Sequence, residues 1–258
     1  MRSQTIRSSR PLFDGAPSVH HIEIDEPLDW LKQGVATFAR APGHSMLYGA
    51  LFALACWGSI GLTRSMPWFA LAFLTGLMLL GPFLAAGLYV AARQQESGQS
   101  VSIRDSLSLL WIRRTNLSLF VLFLGLIAAA WVRLSALLFA IQFDALSPSV
   151  DSYLGMFSGH FDPLIAAFFL GIGLLLAITV FATSALAIPM ILDRDVGPVT
   201  AINTSLRAFA INWPGMLVWA ASIVTLSGIG ILTGFIGMIA LFPLLGYATW
   251  HSYRRMVA

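Results

Sequence analysis

Six long apolar runs that are nearly free of charge constrain this 258-residue chain more than any other feature. Crossing the hydrocarbon of a bilayer takes about 20 apolar residues in a helix, and a helix satisfies its own backbone hydrogen bonds there. None of the runs alternates polar and apolar residues as membrane-barrel strands do. The runs cover residues 45–62, 67–92, 117 to about 132, 163–192, 214–232 and 233–250.

The composition supports a membrane protein. Hydrophobic residues make up 57% of the chain and charged residues 10%, and the mean hydropathy is +0.79, too apolar for a soluble domain of this length. Six spans use roughly 120 residues, which leaves a polar tail and loops but no large soluble domain. The basic residues are scattered rather than gathered in a patch, so we expect no binding to nucleic acid.

The six runs fall into three pairs, each predicted to form a helical hairpin. The first pair is joined by the short turn at residues 63–66, and the third by a glycine-rich turn around Gly228, Gly230 and Gly234, whereas the second has a longer connector. The 30-residue run at 163–192 would measure about 45 Å as a helix. We therefore expect this run to tilt, kink or leave the membrane.

An amphipathic helix is predicted before each hairpin. Pro27 suits the start of the first helix and Pro198 the start of the third, and Ser102 is a candidate cap for a shorter second helix. Their apolar positions are Leu28, Leu31, Val35 and Phe38 in the first, Ile103, Leu107, Leu110 and Trp111 in the second, and Val199, Ile202, Leu206 and Phe209 in the third.

The first and third sets of apolar positions differ by a constant 171 residues, which predicts an internal repeat. The three units would be residues 28–92, 102–192 and 198–250, each an interfacial helix followed by a hairpin, all inserted in the same direction. The amphipathic helices would lie on the membrane surface. The alternative is a chance likeness between apolar sequences of restricted composition.

The distribution of basic residues predicts that both termini are cytoplasmic. Of the 15 Lys and Arg residues, 13 lie in the tails and in the connections on the side of the N-terminus. Only Arg64 and Arg133 remain for the other side, where the connector carries Asp144, Asp151 and Asp162. The polar residues 1–27 contain no secretory signal and are predicted to be disordered, and residues 28–258 form the membrane domain.

The titratable residues predict no catalytic, metal or cofactor site. The central thirds of the six runs lack Asp, Glu, Lys and His, which proton relays need. A haem cage needs several buried histidines, whereas the five here lie in the tail, in loops or at span ends: His20, His21, His44, His160 and His251. The single Cys56 excludes an intrachain disulfide and a CxxC pair.

Four other features leave alternatives open. Arg133 follows Trp131 and is predicted to snorkel at the outer interface, or else to pair with Asp144 or a bound anion. Pro82, Pro189 and Pro243 bend the second spans statically or act as hinges. Small residues favour close helix contact within the chain or with a partner: Gly76, Gly81, Ala85, Gly87, Ala91, Gly173 and Ala177. Hydroxyls that satisfy helix carbonyls or line a path are Thr179, Thr183, Ser184, Thr225 and Ser227.

The segment from Trp30 through Gly81 to Tyr89 resembles the DUF2189 family of predicted bacterial integral membrane proteins. Its most specific part is the run from Gly81 to Tyr89, followed by Arg93, Glu96 and Gly98, and the resemblance extends over most of residues 28–255. It implies a six-helix protein of the bacterial inner membrane, with no activity that can be transferred to particular residues.

These observations favour a non-enzymatic accessory, assembly or scaffolding component of a membrane complex. Its partners would be the lipid bilayer and other membrane subunits or a second copy of itself. The competing function is a carrier or pore for a neutral, apolar or lipid-like solute, because missing internal charges argue only against proton-driven exchange. A membrane-crossing cavity would favour transport, and tight packing with an exposed stripe of small residues would favour association.

Overall fold

A computed structural model of the chain describes residues 17–62, 77, 81–143 and 163–257. Within these ranges the predicted all-helical fold is confirmed, since the remaining regular structure is an isolated bridge between Val19 and Val257. The helices are α1 (Glu26–Arg40), α2 (Pro42–Leu62), α3 (Gly81–Leu84), α4 (Ala86–Glu96), α5 (Ile103–Ile112), α6 (Arg114–Phe143), α7 (Pro163–Ser184), α8 (Ala187–Arg194), α9 (Pro198–Ile211), α10 (Trp213–Leu232) and α11 (Met238–Met256).

Three stretches within the described residues are long and apolar enough to cross a membrane. They are Arg114–Leu134, Leu170–Arg194 and Trp213–Leu232, which match the predicted third, fourth and fifth spans. Half of the predicted second span, including Gly76, lies outside the described residues, as does Arg64 in the preceding turn. So do His160 and the three outer aspartates, Asp144, Asp151 and Asp162.

The helix starts that the sequence indicates are confirmed. Pro27 lies in the first turn of α1, and Pro198 begins α9, where a missing N–H costs no hydrogen bond. Ser102 Oγ accepts a hydrogen bond from the backbone N–H of Asp105 at 3.3 Å, which caps α5. Three glycines were expected in the turn that joins the third predicted pair. Gly228 and Gly230 instead belong to α10, and of the three only Gly234 lies in the turn, at a φ of 63°.

The 30-residue run breaks into α7 and α8, as its length predicted. In a continuous helix the N–H of Leu186 would donate to the carbonyl of Ala182. Instead, the hydroxyl of Ser205 from α9 lies between these two groups, donating to the Ala182 carbonyl at 2.7 Å and accepting from the Leu186 N–H at 3.4 Å. A side chain inserted into the hydrogen-bond ladder thus satisfies both groups at the kink.

The helices α4, α8 and α11 pack against one another at the centre of the bundle. Each amphipathic helix lies against a different central element: α1 against α11, α5 against α4, and α9 against α7 and α8. These contacts form a closed cycle. Each amphipathic helix contacts the second helix of the predicted pair that precedes it in sequence, and α1, which has no preceding pair, contacts the second helix of the third pair.

Three buried positions of α1 also have buried counterparts in α9. The buried residues Trp30, Gly34 and Thr37 of α1 have Ala201, Ser205 and Ala208 of α9 as counterparts, again 171 residues later.

The apolar positions predicted from the sequence for these two helices divide between two environments: Leu31, Phe38, Ile202 and Phe209 are partly buried against the core, and the other four are exposed. Leu28 and Val35 are each 55% exposed and Val199 is 72% exposed. Such faces suit a helix that lies in the membrane interface.

Part of the N-terminal tail, for which disorder was predicted, makes specific contacts. The His20 N–H donates to the carbonyl of Met256 at 2.9 Å, and the Asn212 side chain accepts from the Ile22 N–H at 3.0 Å. Ile22 is buried against Gly215. The polar composition around Ile22 concealed this contact, because one isolated apolar residue is a weak pattern. Residues 1–16 lie outside the described part of the chain.

A first prediction concerns the close crossing of α2 and α11. Pro243 leaves the carbonyl of Ile239 without its helical N–H partner, and Gly49 of α2 lies directly over that carbonyl. A Cβ on Gly49 would stand 2.0 Å from the Ile239 oxygen. We expect Gly49→Ala to destabilise the protein by about 2 kcal/mol or more, measured as a lower thermal unfolding temperature in detergent.

The control is Gly58→Ala in the same helix, where no atom lies within 4 Å of the added Cβ. This variant should unfold at or slightly above the wild-type temperature, because alanine favours the helix by about 1 kcal/mol. Equal unfolding temperatures for the two variants would contradict the proposed crossing.

Candidate functional site

A cavity of about 400 Å³ lies within the bundle. It is enclosed by α2, α3, α4, α7, α10 and α11, and its wall is mostly aliphatic and aromatic. None of the described residues that line it is charged. The volume falls within the range of about 300–1,000 Å³ that is typical of small-molecule sites. Representative lining residues are Phe52, Pro82, Tyr89, Phe181, Ser184, Trp219, Ser227, Phe242 and Thr249.

The cavity is elongated along the helix axes. On α11 the lining runs from Met238 to Thr249, which corresponds to about 16 Å of helix. Small residues line it at Gly81 in α3, at Ala85 before α4 and at Gly246 in α11, so these positions place no long side chain in the space. Its shape therefore suits an extended apolar chain better than a compact polar ligand.

The cavity reaches the outer surface of the bundle between α7 and α10. Val224 of α10 lines the cavity and is 71% exposed, and Ala177 of α7 lines it and is also exposed. Both residues belong to stretches that are long and apolar enough to span a membrane. The opening thus lies on the side of the bundle, between two stretches that are apolar enough to face lipid.

Two of the five hydroxyl residues singled out in the sequence line this cavity, Ser184 and Ser227. Neither hydroxyl has a hydrogen-bond partner among the residues that the structure describes. Thr179 and Thr183 instead donate to carbonyls of their own helix, at 2.8 Å each, and do not line the cavity. Thr225 also lies outside the lining, exposed on α10.

A cluster of four charged residues joins the ends of the three central helices. We call Arg93, Glu96, Asp193 and Arg254 the charged cluster. Asp193 forms ion pairs with both arginines: its Oδ1 lies 3.1 Å from Arg93 Nε and its Oδ2 lies 3.5 Å from Arg254 Nη1. Arg254 Nε also lies 3.3 Å from Glu96 Oε2. Tyr89 and Thr249 of the cavity precede Arg93 and Arg254 by about one helical turn, so the charged cluster lies next to this end of the cavity.

Aromatic side chains support the charged cluster through hydrogen bonds. The Tyr253 hydroxyl donates to Asp193 Oδ2 at 2.8 Å and accepts from Arg194 Nε at 3.1 Å. Trp250 Nε1 donates to Glu96 at 2.9 Å. Sequence reasoning noted Arg93 and Glu96 but missed Asp193 and Tyr253. The available signal was an acidic residue at the end of an apolar run, where the positive-inside pattern predicts bases.

His251 lies one residue beyond the predicted last span and is held neutral. Burial, followed by repulsion from Arg40, lowers the pKa of its imidazole to about 4. Glu96 lies 3.8 Å from Nδ1 and favours the charged ring, but it already binds Trp250 and Arg254. The Thr37 hydroxyl donates to the Gln33 carbonyl and lies 2.8 Å from Nε2, so the geometry assigns the imidazole proton to Nε2.

The small residues of the second span pack within the chain where the structure describes them. A Cβ on Gly87 would stand 2.1 Å from the Tyr48 hydroxyl, and Ala85 and Ala91 are buried. On α7, a Cβ on Gly173 would stand 3.0 Å from the Trp131 ring. These contacts correspond to the intrachain alternative of the sequence prediction.

The remaining candidate residues are dispersed. Arg133 is exposed within α6, which continues to Phe143 rather than ending near Val132 as the predicted span does. Cys56 is buried among apolar side chains. The described histidines lie in the tail, in α2 and in α11, and among the described residues no group of three or more His, Cys, Asp or Glu could hold a metal ion.

A second prediction tests the charged cluster. Replacing Asp193 by Asn leaves Arg93 and Arg254 without their shared carboxylate, although both arginines are partly exposed to solvent. We expect Asp193→Asn to destabilise the protein by about 1–2 kcal/mol, measured by thermal unfolding in detergent. The exposed pair Lys32–Asp29 is the control, because Asp29→Asn should change the unfolding temperature little. Equal effects of the two variants would contradict a structural role for the charged cluster.

A third prediction concerns pH. Because the pKa of His251 is lower in the folded protein than its usual 6.5, the unfolded chain binds more protons between pH 6.5 and about 4. The stability due to the neutral imidazole is therefore complete above pH 6.5 and decreases toward pH 4, by on the order of 2–3 kcal/mol. Unfolding of the wild type and of His251→Gln should be compared across this range. An identical pH dependence in both proteins would show that His251 is not the group involved.

Comparison with known proteins agrees with the membrane assignment. The model of the family DUF2189, described as a predicted integral membrane protein, matches residues 70–193. The match is narrower than the range 28–255 expected from the sequence resemblance, but it includes the specific run from Gly81 to Tyr89. No curated protein and no solved structure matches the chain. The chain is thus an integral membrane protein with a DUF2189 match over residues 70–193.

Proposed function

We propose that this protein is non-enzymatic and binds a neutral, apolar or lipid-like solute in the cavity between the central helices and α10. The observation that carries the proposal is an apolar space of about 400 Å³ that opens sideways between Ala177 and Val224. An apolar solute would gain about 25 cal/mol for each Å² of surface that it removes from water. From the bilayer, it would enter without crossing a polar barrier.

The position of the charged cluster favours binding and exchange with the bilayer over conduction. At the end near Tyr89 and Thr249, the ends of α4, α8 and α11 are tied together by Arg93, Asp193 and Arg254. A pore would need a continuous path past these side chains. We therefore favour a carrier or lipid-binding protein among the solute-handling alternatives.

An accessory, assembly or scaffolding role is the other function that the sequence predicts. It would gain support from small residues that leave a helix face free for a partner. Gly87, however, packs against Tyr48 of the same chain and so does not face a partner. The cavity is a more specific observation, and for this reason we place solute binding first.

We also propose the full topology of the sequence analysis: six spans, three parallel hairpin units and both termini in the cytoplasm of a bacterium, with the protein in its inner membrane. Support comes from the 171-residue correspondence of buried positions in α1 and α9 and from the closed packing order of the amphipathic helices. Arg93 and Arg254 lie together at one end of the central helices, as the positive-inside rule requires of residues on one side.

The test of solute binding is to fill the opening. Ala177→Trp places a large ring where α7 borders the cavity. For the full-length protein in lipid nanodiscs, we expect the affinity for a brominated alkane, measured by quenching of tryptophan fluorescence, to fall at least tenfold. The matched control is Ala221→Trp on α10, which is exposed but does not line the cavity, and which should bind like the wild type.

If the wild type does not bind the brominated alkane above the level of empty nanodiscs, solute binding is wrong. If both tryptophan variants bind as well as the wild type, the alkane occupies another surface and the proposed site is wrong.

A further inference from the structure

We propose that Ser184 is the hydrogen-bonding anchor of the cavity and that its ligand is a neutral lipid-like molecule with a carbonyl or ester oxygen. This inference rests on the proposed function, since it names the chemistry of the solute that the same cavity would hold. The starting observation is that Ser184 is 3% exposed, lines the cavity and has no hydrogen-bond partner within the described part of the chain.

The unpartnered state of Ser184 is unusual for its position. Serine and threonine inside helices commonly donate to a carbonyl three or four residues earlier, as Thr179, Thr183 and Ser222 do here. For Ser184 the acceptor four residues earlier is the carbonyl of Val180, which already receives the Thr183 hydroxyl at 3.0 Å. A buried hydroxyl without a partner is energetically costly, so a ligand oxygen that accepts its proton would be favourable.

The location of Ser184 sets the direction of the ligand. Ser184 ends α7 just before the break at residues 185–186, toward the end of the cavity where Tyr89 and Thr249 lie. Tyr89 lies beside Thr249, whose hydroxyl donates to the Leu245 carbonyl at 2.7 Å. Ser184 is therefore a free hydroxyl donor in the cavity wall, and Trp219 Nε1, which also lines the cavity, is a second donor without a partner among the described residues. The rest of a ligand held by Ser184 would extend along the apolar wall toward Val224.

The composition of the wall restricts the ligand to uncharged molecules. No described lining residue carries a charge that could compensate a carboxylate, phosphate or ammonium group in the cavity. An ester or ketone oxygen needs only one donor, which Ser184 provides. Fatty acyl esters and other neutral lipids with a carbonyl group meet both requirements, whereas a pure hydrocarbon would leave the Ser184 hydroxyl unpaired.

The experiment compares two probes of equal chain length, a brominated alkane and the methyl ester of a brominated fatty acid. Each is titrated into the full-length protein in nanodiscs, and binding is read from tryptophan quenching. We expect the wild type to prefer the ester, and we expect Ser184→Ala to weaken ester binding about three- to tenfold without changing alkane binding. Ser184→Thr, which keeps a hydroxyl, should retain a preference for the ester.

Thr183→Val is the matched control, because Thr183 is the buried neighbour whose hydroxyl is already used within α7. This variant should keep the wild-type preference for the ester. Equal binding of the two probes by the wild type would overturn the anchor but leave solute binding intact. Loss of both probes in Ser184→Ala would also overturn it, because the residue would then support the wall rather than the ligand. Failure of the wild type to bind either probe would contradict the proposed function as well.

Discussion

The structure depends on how backbone hydrogen bonds are satisfied where helices break inside an apolar environment. Lipid offers no water to replace a missing partner, so each break needs a compensating group from a neighbouring helix. At the kink between α7 and α8 this group is the Ser205 hydroxyl, which bridges Ala182 and Leu186. At Pro243 the missing N–H cannot pair with the Ile239 carbonyl, and Gly49 of α2 packs directly over that carbonyl. Helix packing and helix irregularity therefore coincide, because both breaks are sites of close contact with a neighbouring helix.

The cavity arises from the same irregularities. Gly81, Pro82 and Ala85 line it where α3 gives way to α4, and Ser184 and Ala185 line it at the break after α7. Small residues and interrupted helices leave volume that regular helices with larger side chains would fill. The charged cluster closes the bundle beyond Tyr89 and Thr249, whereas the side between α7 and α10 stays open. This asymmetry favours exchange with lipid over passage through the protein.

Much of the fold could be predicted because the signals are local. Apolar runs of membrane length, Pro27 and Pro198 at helix starts and the Ser102 cap each depend on a few neighbouring residues. The cavity, the partner of Ser205 and the ordering of Ile22 depend on residues far apart in sequence. Asp193 looked like an ordinary loop charge, since nothing near it reveals that Arg93 and Arg254 converge on it. Ser184 and Ser227 were among the possible lining residues, but only packing separated them from Thr179, Thr183 and Thr225.

The contact between the N-terminal segment and the last helix also constrains the path of the chain. The backbone hydrogen bond from His20 to Met256 holds the segment before α1 against the end of α11. The beginning and the end of the described chain therefore share one surface of the bundle, although most of the chain lies between them in sequence.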